Sequence, residues 1–209
     1  MHDCCESKVH DIIALRNNYG RVLKVVLAIN LAMFFTEFGG GLLARSTALL
    51  ADSFDMFGDA TVYGVNLYVL HKGERWQARA ALLKGCIMIG FGVAVLGEVM
   101  QKVIAGVVPA ASLMNMFGLL ALLANTACAT MLLRFRTGEI NMRSTWVCSR
   151  NDVIANLGVI VAALGVAVTG AAWPDILIGT LIAVIFFSSS FGVLRDSFRQ
   201  LFSPSASAT

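Results

Sequence analysis

The chain has 209 residues, 57% of them hydrophobic and only 14% charged, where a soluble domain carries about 25% charged residues. That balance excludes a water-soluble core and marks an integral membrane protein, and the helical period of apolar stretches of about 20 residues or more excludes a β-barrel. The net charge of +3, with no basic run or aromatic ladder, excludes a nucleic-acid binder.

Residues 1–20 read as a cytoplasmic N-terminal segment. His2, Asp3, Glu6, Lys8, His10 and Arg16 fall where a cleavable signal peptide needs an apolar run. His2, Cys4, Cys5 and His10 also gather soft-metal ligands there, and a cytoplasmic side would keep the thiols reduced. Their spacing matches no closed zinc motif, so the alternatives are a metal-capturing segment and a plain polar tail.

Six spans follow, over 21–44, 47–71, 77–101, 111–134, 145–170 and 175–200. Polar punctuation separates them: ARST, HKGERWQAR, VVPAAS, RFRTGEINMRST and GAAWPD. Lys8, Arg16, Arg21 and Lys24 precede the first span, and Lys72, Arg75 and Arg79 follow the second. Arg134, Arg136 and Arg143 follow the fourth, and Arg195 and Arg199 end the sixth, while the alternate turns hold only Arg45 and Lys102. This asymmetry predicts an all-α membrane protein, a bundle of six transmembrane helices over 21–200 with both termini cytoplasmic. Residues 201–209, LFSPSASAT, are expected to be a short cytoplasmic tail too small to bury a core.

The second span contains LLADSFDMFGDA, with Asp52, Asp55 and Asp59 inside two turns. Each carboxylate in hydrocarbon costs roughly 2.5–3.5 kcal/mol even on a lenient insertion scale, so something must compensate for them. Asp55 and Asp59, four apart, share a helical face with β-carbons about 6 Å apart. Cys148 and Asp152 repeat that spacing in the fifth span. Paired ligands one turn apart on neighbouring helices are how bundles build metal sites, and three carboxylates with one sulfur suit a tetrahedral divalent ion. Lone membrane aspartates also serve as interhelical hydrogen bonders or proton carriers, and Cys148 gains weight only from its spacing to Asp152. Cys86 and Cys128 have no such partner and read as packing residues. Glu37 and Asn30, seven apart on one face, are cavity-lining candidates, as is Asp52. Asn151 is a candidate for orienting a ligand, although interhelical hydrogen bonding is the simpler reading for each asparagine.

Three stretches together carry a resemblance: TEFGGGLLARSTALLADSFDMFGDA, CSRNDVIANLGVIVAALG and WPDILIGTLIAVIFFSSSFGVLRDS. Over 21–200 the chain resembles the membrane domain of the cation diffusion facilitators. The resemblance places the family's metal pairs on Asp55 and Asp59 and on Cys148 and Asp152, with Asp52 matching the aspartate just ahead of the first pair. It implies a secondary transporter, not an enzyme, that moves divalent cations out of the cytoplasm in exchange for protons. It also implies residence in a bacterial inner (plasma) membrane, and homodimers formed partly through a cytoplasmic domain after the sixth helix. That domain is expected to be missing here, which leaves the homodimer a possible partner only. Cys148 stands where the family usually has His or Asp.

No prosthetic group is expected. The bound cation is expected to be Zn²⁺ or Cd²⁺, because sulfur disfavours Mg²⁺ and Ca²⁺. Clustered carboxylates cannot all ionise without a counter-ion, so metal and protons compete for the same atoms, which is the requirement for exchange. Two other readings remain at this stage. One is a metal-binding membrane sensor or assembly subunit without transport. The other is an intramembrane aspartyl protease, poorly matched because Met56 replaces a glycine in MFGD and Asn151, not tyrosine, precedes Asp152.

Overall fold

Hydrophobic runs bounded by Gly and Pro become six helices in a computed structural model that describes residues 3–69, 74–136 and 140–202. Side chains are described over most of 18–195, apart chiefly from 68–81 and most of 137–148. The side chains of His2, Cys4, Cys5, His10 and Cys148 lie outside the described residues. The helices are α1 (Asp3–Ala44), α2 (Thr47–Val69), α3 (Glu74–Ala105), α4 (Ala111–Leu133), α5 (Ile140–Thr169) and α6 (Trp173–Phe202). They fall on the six expected spans. The main difference is α1, which begins at Asp3 and not near residue 21, because no proline interrupts the stretch before Ala44.

Stop signals act where the chain supplies them. Gly106 and Gly170 both adopt φ 63°, and their N–H groups cap the carbonyls of Lys102 and Val166 at 2.9 Å. Glycine reaches that left-handed conformation without a Cβ clash. Pro109 and Pro174 then prevent either helix from resuming.

Among the described residues, four helices carry an apolar stretch long enough to cross a bilayer: Asn18–Ala44, Gly85–Ala105, Ala111–Leu133 and Ser149–Thr169. In α6 the apolar stretch Trp173–Ile185 is shorter. Helix α2 carries three aspartates instead, and its position explains how it tolerates them. It touches each of the other five helices, whereas α3 packs mainly along α6 and α4 along α5. The apolar residues of the outer helices turn outward: Phe35, Leu43, Ile104, Leu123 and Val168 are exposed. Asn30, Glu37, Asp52, Asp59, Asn125, Asp152 and Asn156 are buried. Such an inverted distribution suits a hydrocarbon solvent, and the chain is an all-α integral membrane protein.

Small residues set the close contacts. A Cβ on Gly179 of α6 would lie 2.9 Å from Thr47 Cγ2 and 3.0 Å from the Thr47 carbonyl carbon. Glycine there lets α6 lie directly on the first turn of α2. The α1–α2, α3–α4 and α5–α6 turns gather at this one end of the bundle, called here the Arg45 end, where Ala110 N–H also donates to Ala44 O at 2.9 Å.

Candidate metal pathway in the membrane core

Two buried polar assemblies occupy the bundle. The first fastens the Arg45 end. Ser46 opens α2 as its N-cap, accepting from Leu49 N–H at 3.1 Å. Asp175, from the first turn of α6, takes the next two donors, Thr47 N–H at 2.9 Å and Ala48 N–H at 3.1 Å. Ser46 Oγ donates to Asp175 Oδ1 at 2.5 Å. Lys102 reaches across from α3 to Asp175 Oδ2 at 2.6 Å and Thr47 Oγ1 at 3.1 Å, and also donates to the Arg45 carbonyl. The three ammonium protons thus have three acceptors, and the free N–H groups of α2 have theirs. In the sequence Asp175 stands out only within WPDILIG, and Lys102 only as a charge in a turn. Nothing in a linear pattern pairs residues 73 positions apart.

The second assembly is acidic and lies deeper. From Thr47, the rise of a helix puts Asp52, Asp55 and Asp59 at about 7.5, 12 and 18 Å along α2, so Asp55 and Asp59 bracket its midpoint. Asp152 on α5 faces this row. Its charge interacts with Asp59, Asp55 and Asp52, and its carboxyl group meets that of Asp55. From the other side Glu37 on α1 faces Asp52, with Asp55 beyond it. Tyr63 Oη donates to Asp59 Oδ2 at 2.7 Å, one turn towards the terminal end.

Facing carboxylates are acceptors on both sides, so their approach satisfies neither without a shared proton or cation. Both oxygens of Glu37 and Oδ2 of Asp52 and of Asp152 are buried with no hydrogen-bond partner. Among the described residues, no three His, Cys, Asp or Glu groups draw close enough to form a finished metal cage. The sulfur of Cys148, expected as the fourth ligand, lies outside the described residues, although its backbone sits on α5 one turn before Asp152.

The remaining candidates separate cleanly. Asn30 is buried, donating to Val26 O at 2.9 Å and approaching Cys128 Sγ at 3.9 Å, with Oδ1 unpartnered. Asn151 is exposed and accepts from Arg150 at 3.2 Å. The expectation that it orients a ligand is corrected: one residue is a rotation of about 100° on a helix, which turns Asn151 away from the face of Asp152. Cys86 is exposed, not packed. Cys128 is buried in an apolar cluster as expected, but its thiol is also near enough to Asp152 to feel its charge. Asn125, one turn before Cys128, has both amide atoms buried and unpartnered, and Asn156 donates to Asp152 O at 2.8 Å. The spacing of Asn125 and Cys128 on one face of α4 was the available signal for their place in this interior.

A helical membrane bundle whose central helix turns a row of acids towards an acidic neighbour belongs to the class of polytopic membrane proteins with a polar interior. The comparisons name the family. The model described as "Cation efflux transmembrane domain" matches residues 23–202, and the chain belongs to that family, the cation diffusion facilitators. It is 23% identical over 193 residues to the cation efflux system protein CzcD of Alcaligenes sp. (strain CT14), covering 87% of this chain and 61% of that protein. With the zinc transporter ZitB of Yersinia pestis it shares 24% identity over 206 residues, covering 92% of this chain and 66% of that one. A Bacillus velezensis protein named a cadmium, cobalt and zinc/H(+)-K(+) antiporter is 24% identical over 203 residues, covering 88% and 65%. The chain thus spans about 61–66% of the length of these relatives. Membership in a family of efflux proteins sets aside the protease reading; the chain is not an enzyme.

Proposed function

We propose that this chain carries a divalent metal cation out of the cytoplasm in exchange for protons, with Zn²⁺ and Cd²⁺ favoured, and that Asp55, Asp59, Cys148 and Asp152 hold the ion in transit. The observation that carries the reading is the buried Asp152 carboxyl group facing the aspartates of α2 around the middle of that helix. Clustered acids of like charge in a buried interior demand a positive charge, and a proton and a metal ion are interchangeable answers. The names of the relatives, which cite zinc, cadmium, cobalt and H(+), support the same reading. A Cys148 thiolate beside carboxylates favours softer divalent ions. The excess of Lys and Arg at the end holding both termini supports a cytoplasmic placement for that end, and makes the Arg45 end the exit side.

The test is a panel of Zn²⁺, Cd²⁺, Co²⁺, Ni²⁺, Fe²⁺ and Mg²⁺ presented to the purified protein in liposomes, with an internal pH dye and a metal dye read together. Expected is proton movement opposite to metal movement, for Zn²⁺ and Cd²⁺ foremost. Metal binding without flux would instead favour a sensor or assembly subunit.

A further inference from the structure

We propose that Glu37 and Asp52 form a second cation station, all oxygen, on the Arg45 side of the transport site. It would hold a divalent ion that keeps part of its water shell. This rests on the transport reading above and extends it.

The argument begins with charge. Among the described residues the buried carboxyl and amino side chains are Glu37, Asp52, Asp59, Asp152, Asp175 and Lys102. Lys102 is the single base in that group, and Asp175 and its neighbours consume all three of its protons. Among the described residues, no other buried lysine or arginine is available to Glu37 and Asp52. Asp59 has Tyr63 as a donor. Glu37 has no such donor: it is 0% exposed and both of its carboxyl oxygens are unpartnered. It projects from a different helix onto Asp52, whose Oδ2 is unpartnered too. Three orphaned oxygens from two helices, converging in a low-dielectric interior, form a cradle for a positive charge.

Position gives the cradle a role. Asp52 lies three residues, about 4.5 Å of helix rise, beyond Asp55 towards the Arg45 end, and Glu37 interacts with Asp55 as well as with Asp52. An ion leaving Asp55 would meet Glu37 and Asp52 next. Chemistry separates the two sites. The inner set includes a sulfur, whereas Glu37 and Asp52 offer oxygen alone, and only two residues, so water must complete the shell. Such a site suits Mn²⁺, Co²⁺ or Zn²⁺ better than the softer Cd²⁺.

The test is equilibrium Mn²⁺ binding to the full chain in detergent micelles, read by the loss of the free-ion electron paramagnetic resonance signal. Wild type is expected to bind two Mn²⁺ per chain. Asp59→Asn/Asp152→Asn is expected to bind one, and adding Glu37→Gln to that pair should abolish binding. Glu37→Gln or Asp52→Asn alone should leave one ion and weaken the second at least tenfold, with Cd²⁺ binding at the inner site little changed. Both substitutions keep side-chain size and remove a buried charge, and an unchanged gel-filtration profile confirms the fold. The station is overturned if Asp59→Asn/Asp152→Asn binds no ion, or if Glu37→Gln and Asp52→Asn both keep two. The transport reading fails separately, if Asp59→Asn/Asp152→Asn still couples metal flux to protons in liposomes.

Discussion

Asp175 and Asp152 are the same residue, both buried, in neighbouring helices of one bundle, yet they live in opposite surroundings. Asp175 has an ammonium, a hydroxyl and two backbone N–H groups around it. Asp152 has an unpartnered oxygen and three further carboxylates in its field. A buried acid with every lone pair occupied is a fastener, holding α2, α3 and α6 together at one end. A buried acid facing other acids is under electrostatic load that only a mobile cation or proton relieves. Burial alone does not distinguish structure from function; the account of hydrogen-bond partners does.

The comparison predicts that one kind of substitution acts with opposite signs in the two regions. The largest effect is expected at the fastener. Lys102→Ala leaves Asp175 buried and unpaired, which should cost roughly 3–5 kcal/mol, visible as a steep fall in thermal stability and folded yield in detergent. If Lys102→Ala melts like wild type, the fastener reading fails. In the acidic region, Asp59→Asn and Asp152→Asn should each abolish metal-driven proton release in liposomes while leaving the melting temperature unchanged or higher, because each removes repulsion. A drop in stability comparable to that of Lys102→Ala would erase the distinction between the regions.

Smaller effects sharpen it. Gly179→Ala should cost about 1–3 kcal/mol by overpacking, since the new methyl group would meet the Thr47 backbone at 3.0 Å; denaturation in mixed micelles measures it. Cys148→His should move selectivity from Cd²⁺ towards Zn²⁺ by about tenfold, or about 1.4 kcal/mol, in competition flux assays, and an unmoved ratio would remove the sulfur from the site. Asn151→Ala, on the exposed face of α5, should change stability by less than about 0.5 kcal/mol and leave flux intact, in contrast to its neighbour Asp152.

Much of the architecture is legible in the sequence. The six apolar runs, the polar punctuation between them and the low overall charge specify helices of membrane length through local chemistry. The i,i+4 spacing of Asp55 with Asp59 marked the acidic face for the same reason, since a helix fixes which side chains share a side. Less legible was the company that each polar residue keeps. Asn30 and Asn151 look alike in the sequence, but one approaches Cys128 in the interior and the other meets Arg150 outside. Cys128 read as a filler of the core, and it is one, yet its thiol also lies within the field of Asp152.

By itself, the sequence determined that this is a helical membrane protein, where its six apolar runs lie, and which acids line one side of α2. These follow from interactions within a few residues of each other and from the cost of polar groups in hydrocarbon. Only the tertiary structure decided that α2 is the central helix, that Lys102 belongs to Asp175, and that Glu37 meets Asp52. Those pairings depend on how rotated helices approach one another, and electrostatic partners across a bundle carry no signature in the order of the chain.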